Sequence, residues 1–366
     1  MKQRKLFILI WDMGIGGAQK RVRDILLDIE HSYPQWEIHL LVKHQDKTGF
    51  LPDIIGQTNA HVYFFTTLDK PSRPIPSIFW IAYLYNKISP DVCLTFLDYL
   101  SLIMIATKHL FFWHKARLVL NEIANTTLYL TMHRNILWKI LIRLLYRYAD
   151  DIIVPSQACR RDLHLNFNVP FKKLNVIPNW TLFKPVQPYL KQYYHCIYVG
   201  RLDEEKNPME VINLIDALRF KKPNIRCCIL GEGKQEAFIK SHIQMRGLNQ
   251  NIKLFGFQTN VIRFLKNSRI LLLPSFNEGL PNVVLEAGMC QIPTISFKFP
   301  GVREVIINGK TGFVTSSPTE MVALVYTLLQ NNMLRRALGE ASQRLMQQRF
   351  SYKNQQRFIK TLLFDS

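Results

Sequence analysis

Residues 270–297 read ILLLPSFNEGLPNVVLEAGMCQIPTISF, and the fold turns on how this stretch is parsed. The run 270–274 is a short apolar strand that ends at a proline. A helix follows over 281–289, with Pro281 suited to its first turn. A second apolar strand covers 294–297. Strand, helix and strand in this order form a βαβ unit, which implies parallel pairing.

The same rhythm extends outward. Upstream lie strand 195–200, helix 209–220 and strand 225–230, the last ending at Gly231-Glu232-Gly233. A further helix, strand 252–255 and helix 260–266 complete the approach. Strands at 5–11, 36–42, 92–96, 116–121 and 151–155 repeat the pattern less clearly in the N-terminal half. There Gly14-Ile15-Gly16-Gly17 forms a turn before a helix over 18–29. Pro178, Pro185 and Pro188 cluster between the halves and mark a linker near 180–192. The tail reads as helices over 319–330, 333–349 and 352–364. The fold class expected is α/β: two Rossmann-like doubly wound domains facing across a cleft lined by the carboxyl ends of both sheets, where such folds bind ligands.

Composition narrows the classes. The chain has 366 residues, 48% of them hydrophobic, enough for two packed cores and too many for a disordered chain. Lys2, Arg4 and Lys5 precede an apolar run that stops at Asp12, too short for a signal peptide and without a small-residue cleavage site. No stretch has the ~18 apolar residues needed to span a bilayer. Six scattered cysteines without a CxxC pair read as buried cytosolic thiols. The formal charge of +20 fits a solvated basic surface, a nucleic-acid partner or an anionic membrane, and charge alone does not choose among them.

Three motifs carry chemistry. In 277–287, NEGLPNVVLEA, Glu278 stands in the strand-to-helix loop and Glu286 inside the helix. The loop N–H groups and the positive helix end suit sugar hydroxyls and phosphate, although Glu286 meeting a nearby lysine fits the residue as well. In 199–207, VGRLDEEKN, Arg201 and Lys206 can neutralise a diphosphate leaving group; an exposed ion-paired loop is the competing reading. Gly14, Gly16 and Gly17 allow close backbone approach to a ligand or simply make a tight turn. They do not form GxGxxG, so dinucleotide binding is poorly supported. Gly231-Glu232-Gly233 and Gly301 with Glu304 are weaker loops of the same kind. A basic amphipathic helix over 131–148 suits either a core-packed position or an anionic bilayer.

Together GIGGAQKRV, VIPNW, VGRLDEEKN, ILGEG, NEGLPNVVLEAG, PGVREVI and NGKTGFV resemble the retaining GT-B glycosyltransferases of family 4, the glycosyl transferases group 1. The resemblance runs through most of the chain and is most specific over 176–316. It implies transfer of a sugar from a nucleotide-sugar, a UDP-sugar on frequency in the family, to a glycan or lipid-linked acceptor in surface polysaccharide or glycolipid synthesis. It implies an acceptor domain over 1–182, a donor domain over 190–348, and a C-terminal helix over 349–366 packing back on the first domain. Arg201 and Lys206 would bind the donor diphosphate, and Glu278 would face the sugar. Glu286 would hold the ribose. Gly279, Leu280, Pro281 and Asn282 would offer contacts to sugar or phosphate, with Gly16 and Gly17 near the phosphates. No metal or other cofactor is required by the resemblance, and no protein general base is assigned. Location would be cytoplasmic, at most peripheral on the cytoplasmic face of a membrane. Trp180 stands where many relatives have glycine, and Asn121-Glu122-Ile123 where some have a histidine, which leaves the acceptor open. The closest rival is a GT-B nucleotide-sugar epimerase. A nucleic-acid-binding protein would explain the charge, but no recognised binding motif supports it, so no nucleic-acid partner is expected.

Overall fold

The computed structural model describes residues 3–14, 16–42, 49–64, 74–132 and 136–364. Lys2, Ile15 and residues 133–135 of the stretch read as a helix over 131–148 lie outside these. The chain divides into two compact units, Met1–Pro178 with Gln355–Ser366, and Asn179–Asn354.

Unit 1 runs β1 (Arg4–Leu9), α1 (Gly17–Ser32), β2 (Trp36–Val42), α2 (Leu51–Gln57), β3 (His61–Phe64), α3 (Pro74–Ile88), β4 (Val92–Phe96), α4 (Asp98–Leu110), β5 (Arg117–Asn121), α5 (Thr126–Met132), α6 (Ile136–Leu145), β6 (Asp151–Val154), α7 (Gln157–Phe167) and β7 (Leu174–Val176). Its strands pair in parallel in the order β3-β2-β1-β4-β5-β6-β7. Order reverses between β1 and β4, the doubly wound switch point.

Unit 2 runs β8 (Tyr194–Val199), α8 (Pro208–Arg219), β9 (Cys227–Leu230), α9 (Glu236–Met245), β10 (Ile252–Leu254), α10 (Val261–Lys266), β11 (Ser268–Leu273), α11 (Asn282–Met289), β12 (Thr294–Phe297), α12 (Val302–Val305), β13 (Gly312–Thr315), α13 (Pro318–Gln330) and α14 (Asn332–Arg349). Its parallel sheet has the order β10-β9-β8-β11-β12-β13, with the switch point between β8 and β11. A last helix, α15 (Tyr352–Leu363), has most of its length in unit 1.

Burial explains why these segments are strands. The central strands are covered on both faces, so their sequences are near-continuous apolar runs, while β3, β7, β10 and β13 are only partly covered. Alternate residues then feed two different cores. Cys196 and Tyr198, Cys227 and Ile229, and Ile270 and Leu272 join one cluster with α8 and α13. Ile197, Cys228 and Leu230, and Leu271 and Leu273 join the other with Val284, Leu285 and Met346. The six cysteines are free and buried.

Small residues set two close approaches in unit 2. A Cβ on Gly288 would lie 2.6 Å from Met346 Cγ, and one on Gly339 would lie 2.1 Å from the Gln291 carbonyl. These two glycines let α11 and α14 pack tightly. In unit 1, α1 buries Val22, Ile25, Leu26 and Ile29, the i, i+3, i+4, i+7 spacing of an amphipathic helix. Along α15, Gln355 Nε2 donates to the Asp24 carbonyl at 2.9 Å, and Arg117 Nη1 donates to the carbonyls of Thr361 and Leu362 at 2.8 and 3.1 Å.

Some expected boundaries move. Of the helix read over 131–148, α5 covers the part up to Met132 and α6 covers Ile136–Leu145, residues 133–135 lie outside the described residues, and Tyr146–Tyr148 form a 3-10 turn in place of a further α-helical turn. Pro281 does not open α11. It is the N-cap, with ψ 118°, and Asn282 is the first helical residue. No described helix is long and apolar enough to cross a membrane.

Candidate active site

In unit 2 the loops after β8 and β11 lie beside each other because their strands flank the switch point. The first loop leaves β8 at Gly200 and makes a 3-10 turn over Glu204–Lys206. Asp203 caps that turn, its carboxylate accepting from the Lys206 N–H at 3.3 Å. Asn207 adopts left-handed φ 49° and opens α8, with Pro208 at the helix's first position. The side chain of Asn207 donates to the Pro274 carbonyl at 3.3 Å, and the Phe276 N–H donates to the Glu205 carbonyl at 3.0 Å. Backbone and side-chain bonds therefore stitch the two loops together.

That stitching brings three sequence-predicted residues into one place. Lys206 Nζ lies 2.8 Å from Glu278 Oε1 and donates to the Asn277 carbonyl at 3.3 Å. Both partners are mostly covered, at 17% and 14% exposure, whereas Arg201 is 61% exposed. Arg201 reaches Glu205 at 3.1 Å and Asp203 at 3.3 Å. The ammonium is thus fixed by a partly buried pair, while the guanidinium sits at the surface between two acids. Beneath them, the Tyr198 hydroxyl donates to the Arg201 carbonyl at 2.9 Å. Burial, and after it the Glu278 charge, pushes this phenol well up.

The turn Gly279–Leu280–Pro281 continues the second loop into α11. Asn179 holds it, its Nδ2 donating to the Leu280 carbonyl at 2.6 Å and to Asn282 Oδ1 at 2.7 Å. Gly279, Leu280 and Pro281 are buried, and Asn282 is half-buried. Glu286 is the fifth residue of α11 and half-buried. Its charge helps raise the Cys290 thiol to about 12, after burial.

Gly231 and Gly233 gain a definite role. Gly231 has φ 133°, and a Cβ there would lie 1.9 Å from the Gly200 carbonyl oxygen. A Cβ on Gly233 would lie 2.5 Å from the Leu202 carbonyl oxygen. Leu202 N–H donates to the Glu232 carbonyl at 2.9 Å, and Gln235 N–H to the Leu202 carbonyl at 2.8 Å. The loop after β9 is therefore the support on which the Arg201 loop rests, and only glycine allows that approach. Gly301, with φ 85°, caps the four-residue α12 that carries Glu304.

Gly16 and Gly17 belong to unit 1, at the N-terminus of α1. The preceding turn is held by Asp12, whose Oδ1 accepts from the Gly14 N–H at 3.0 Å and from Gln19 Nε2 at 2.9 Å. On the same sheet, the strand ends of β4 and β5 hold a cluster that the sequence did not reveal. Leu97, in the left-handed region at φ 77°, delivers Asp98 to the start of α4. Glu122 follows β5 and is buried. The Tyr146 hydroxyl donates to Glu122 Oε1 at 2.6 Å and points to Asp98 Oδ1 at 3.4 Å. The two carboxyls thus lie on either side of one hydroxyl. Burial, then the Asp98 charge, holds the Glu122 carboxyl well above the usual carboxylate range, and burial raises Asp98 as well. Both carboxyls therefore hold their protons more tightly than usual, and Asp98 stands at a helix N-terminus, which favours negative charge. Nearby, Arg21 Nη1 donates to Asn121 Oδ1 at 3.1 Å, and burial lowers its guanidinium to about 10.

Known proteins place the chain. Residues 15–181 match the family model described as Glycosyltransferase Family 4, and residues 182–345 match Glycosyl transferases group 1. A Campylobacter jejuni enzyme named N-acetylgalactosamine-N,N'-diacetylbacillosaminyl-diphospho-undecaprenol 4-alpha-N-acetylgalactosaminyltransferase is 26% identical over 351 residues, covering 91% of this chain and 92% of its own. The Staphylococcus aureus capsular polysaccharide biosynthesis glycosyltransferase CapM is 26% identical over 221 residues, covering 56% and 58%. Among solved structures, Anabaena HepE in complex with UDP and glucose superposes with a TM-score of 0.81 at 17% identity, covering 98% of this chain and 99% of that one. The two family models meet end to end across both units, and the chain belongs to the group 1, family 4 glycosyltransferases of GT-B fold.

Proposed function

We propose that this glycosyltransferase moves a sugar, with retention of anomeric configuration, from a UDP-sugar to a lipid-linked glycan acceptor, working as a peripheral protein on the cytoplasmic face of a membrane. The observation that carries the reading is the Lys206–Glu278 pair at 2.8 Å on the two loops that flank the unit 2 switch point, with Arg201 beside it. As the bond from the anomeric carbon to the diphosphate oxygen breaks, negative charge collects on that oxygen and positive charge on the sugar ring. Cations already fixed in place stabilise the leaving group without reorganising. Lys206, anchored by Glu278 and the Asn277 carbonyl, meets that requirement. Arg201 can leave Asp203 or Glu205 to grip phosphate with its planar fork. Glu278 then faces the sugar and Glu286 the ribose, while the Gly279–Asn282 turn supplies further contacts. With two cations in these roles, the reaction needs no divalent metal.

Support for donor and acceptor comes from relatives. HepE is solved with UDP and with UDP-glucose, and the names of two C. jejuni relatives carry undecaprenol-linked acceptors. The test is a thermal-shift screen of nucleotide sugars, followed by transfer from the best binder to undecaprenyl-diphosphate glycans and NMR of the product linkage. A product with the donor's anomeric configuration supports the proposal; an inverted linkage overturns retention. Conversion of the donor to an epimer, with no transfer, overturns the transferase reading.

A further inference from the structure

The amino ends of the unit 2 strands gather cations that no acid answers. Arg335 is the fourth residue of α14 and only 8% exposed. Its hydrogen-bond partners are neutral amides: Nη1 donates to Gln192 Oε1 and Nη2 to Asn332 Oδ1, both at 3.2 Å. Its Nε is buried with no partner among the described residues. Gln192 in turn donates to the Ser268 carbonyl, which ties this arginine to the start of β11, beside Arg269. Arg336 follows on the helix and is exposed. Among the described residues none of these three arginines has an ion pair, and Glu340, one turn on from Arg336, does not pair with it.

The rest of the unit shows how unusual this is. Arg219 and Arg201 are far more exposed, at 30% and 61%, yet Arg219 pairs with Asp216, and Arg201 with Asp203 and Glu205. A buried cation needs a counter-charge more than an exposed one does. Burial, and then the charges of Arg269 and Arg336, lower the Arg335 guanidinium to about 10. The positive field reaches along the strand starts, where burial and then Arg269, Lys222 and Arg226 lower His195 to about 4. The positive end of α14 adds to it, with no acid in that helix's first turn. All of this is adverse for the protein alone and favourable for a bound anion. Arg335 spends two of its five N–H groups on the amides, and the planar fork of a guanidinium matches phosphoryl oxygens.

We propose that Arg335, Arg269 and Arg336 form a binding site for a phosphate or diphosphate anion at the amino ends of the unit 2 strands. It is distinct from the donor site proposed above, because the length of β11 separates them, roughly 13 Å from Arg269 to Leu273 at about 3.3 Å per residue. The bound anion joins α14 to β11. Since α14 packs on α11 where Met346 meets Gly288, the anion braces the helix that carries Glu286 from the opposite end of the sheet.

The test is calorimetric titration of the full chain with sodium phosphate and sodium pyrophosphate, against sodium chloride at equal ionic strength. The catalytic loops also hold cations, so the titration is run on wild type and on an Arg201→Ala, Lys206→Ala variant. Binding is expected to persist in that variant. Adding Arg269→Gln and Arg336→Gln should then weaken pyrophosphate roughly 10- to 100-fold, the loss of one or two charge-assisted bonds. Arg335→Gln should weaken it at least as much, without lowering the melting temperature in chloride, because it removes a buried unpaired charge. Three results overturn the proposal: no heat beyond that of chloride, loss of all pyrophosphate binding in the Arg201→Ala, Lys206→Ala variant, or unchanged affinity when Arg269 and Arg336 are replaced. Failure of UDP to bind would sink the functional proposal and leave this one standing.

Discussion

The Glu122–Asp98–Tyr146 cluster should make the stability of unit 1 fall as pH rises, and Glu122→Gln should remove the Glu122 part of that fall. In the folded chain the Glu122 carboxyl keeps its proton well above the usual range, because it is buried and faces Asp98, with Asp162 adding to the effect. Unfolded, it ionises near pH 4.3. A group whose folded value is raised gives its full stability below the unfolded value, and that contribution is lost as pH rises towards the folded one. Between those limits the native state holds one more proton than the unfolded chain. Each pH unit then costs about 1.4 kcal/mol. For a body of this size that is roughly 3–5 °C in melting temperature per unit. Glutamine keeps an acceptor for the Tyr146 hydroxyl and a donor for Asp98, without a proton to lose. Calorimetric scans of both proteins across about pH 5 to 9 should start close together and diverge, with the variant higher at the alkaline end. Tyr146→Phe, by contrast, deletes a 2.6 Å bond and should cost about 1.5–3 kcal/mol at any pH in this range. Parallel pH profiles for wild type and Glu122→Gln would refute the assignment of the proton.

Arg201→Ala and Lys206→Ala should each slow transfer by roughly 2–4 kcal/mol of barrier, read from steady-state turnover, with Lys206→Ala also leaving Glu278 without its 2.8 Å partner; full turnover in either would remove that residue from the leaving-group role. Glu286→Gln should chiefly weaken UDP binding by calorimetry, whereas Glu278→Gln should chiefly lower kcat, and the reverse pattern would show the roles exchanged. Gly233→Ala forces a Cβ to 2.5 Å from the Leu202 carbonyl oxygen and should destabilise unit 2 by roughly 1–3 kcal/mol while weakening UDP affinity through the displaced Arg201 loop; unchanged melting and affinity would mean the loops are not coupled.

The parts of the site within one or two loops were legible in the sequence, and the parts assembled across the sheet were not. Arg201, Lys206 and Glu278 stand in loops that a strand-then-helix pattern locates, and neighbouring strands bring them together. Asp98, Glu122 and Tyr146 come from three separate segments, and no spacing in the sequence ties them together. Only the stretch Asn121-Glu122-Ile123, where some relatives have a histidine, points to that place. The supporting role of Gly231 and Gly233 was hidden for a similar reason, since the atoms they make room for belong to a loop thirty residues earlier. Of the fold, buried parallel strands were plain as apolar runs. The half-exposed strand β3 lacks such a run, and two prolines in the first turn of α3 obscured its helical period. The 3-10 turn at Tyr146–Tyr148 was hidden because amphipathic spacing carries on past Leu145 in the sequence.

Unit 1 is built from two separated parts of the chain, and this sets an order of events at the ribosome. Phe358, Ile359, Leu362 and Leu363 are buried, Arg21 lies over the Phe358 ring, and Phe364 packs on Tyr33 and Trp36. None of the residues of α15 exists when the first 178 residues have emerged. The nascent unit must wait for all of unit 2 to be translated, roughly 10 to 35 s at 5–20 residues per second. During that interval the surface of α1 and the N-terminal end of β5 at Arg117 lack their α15 partners. Unit 2, which is continuous, can close first, so the C-terminal half is the one expected to resist protease earliest on stalled ribosomes.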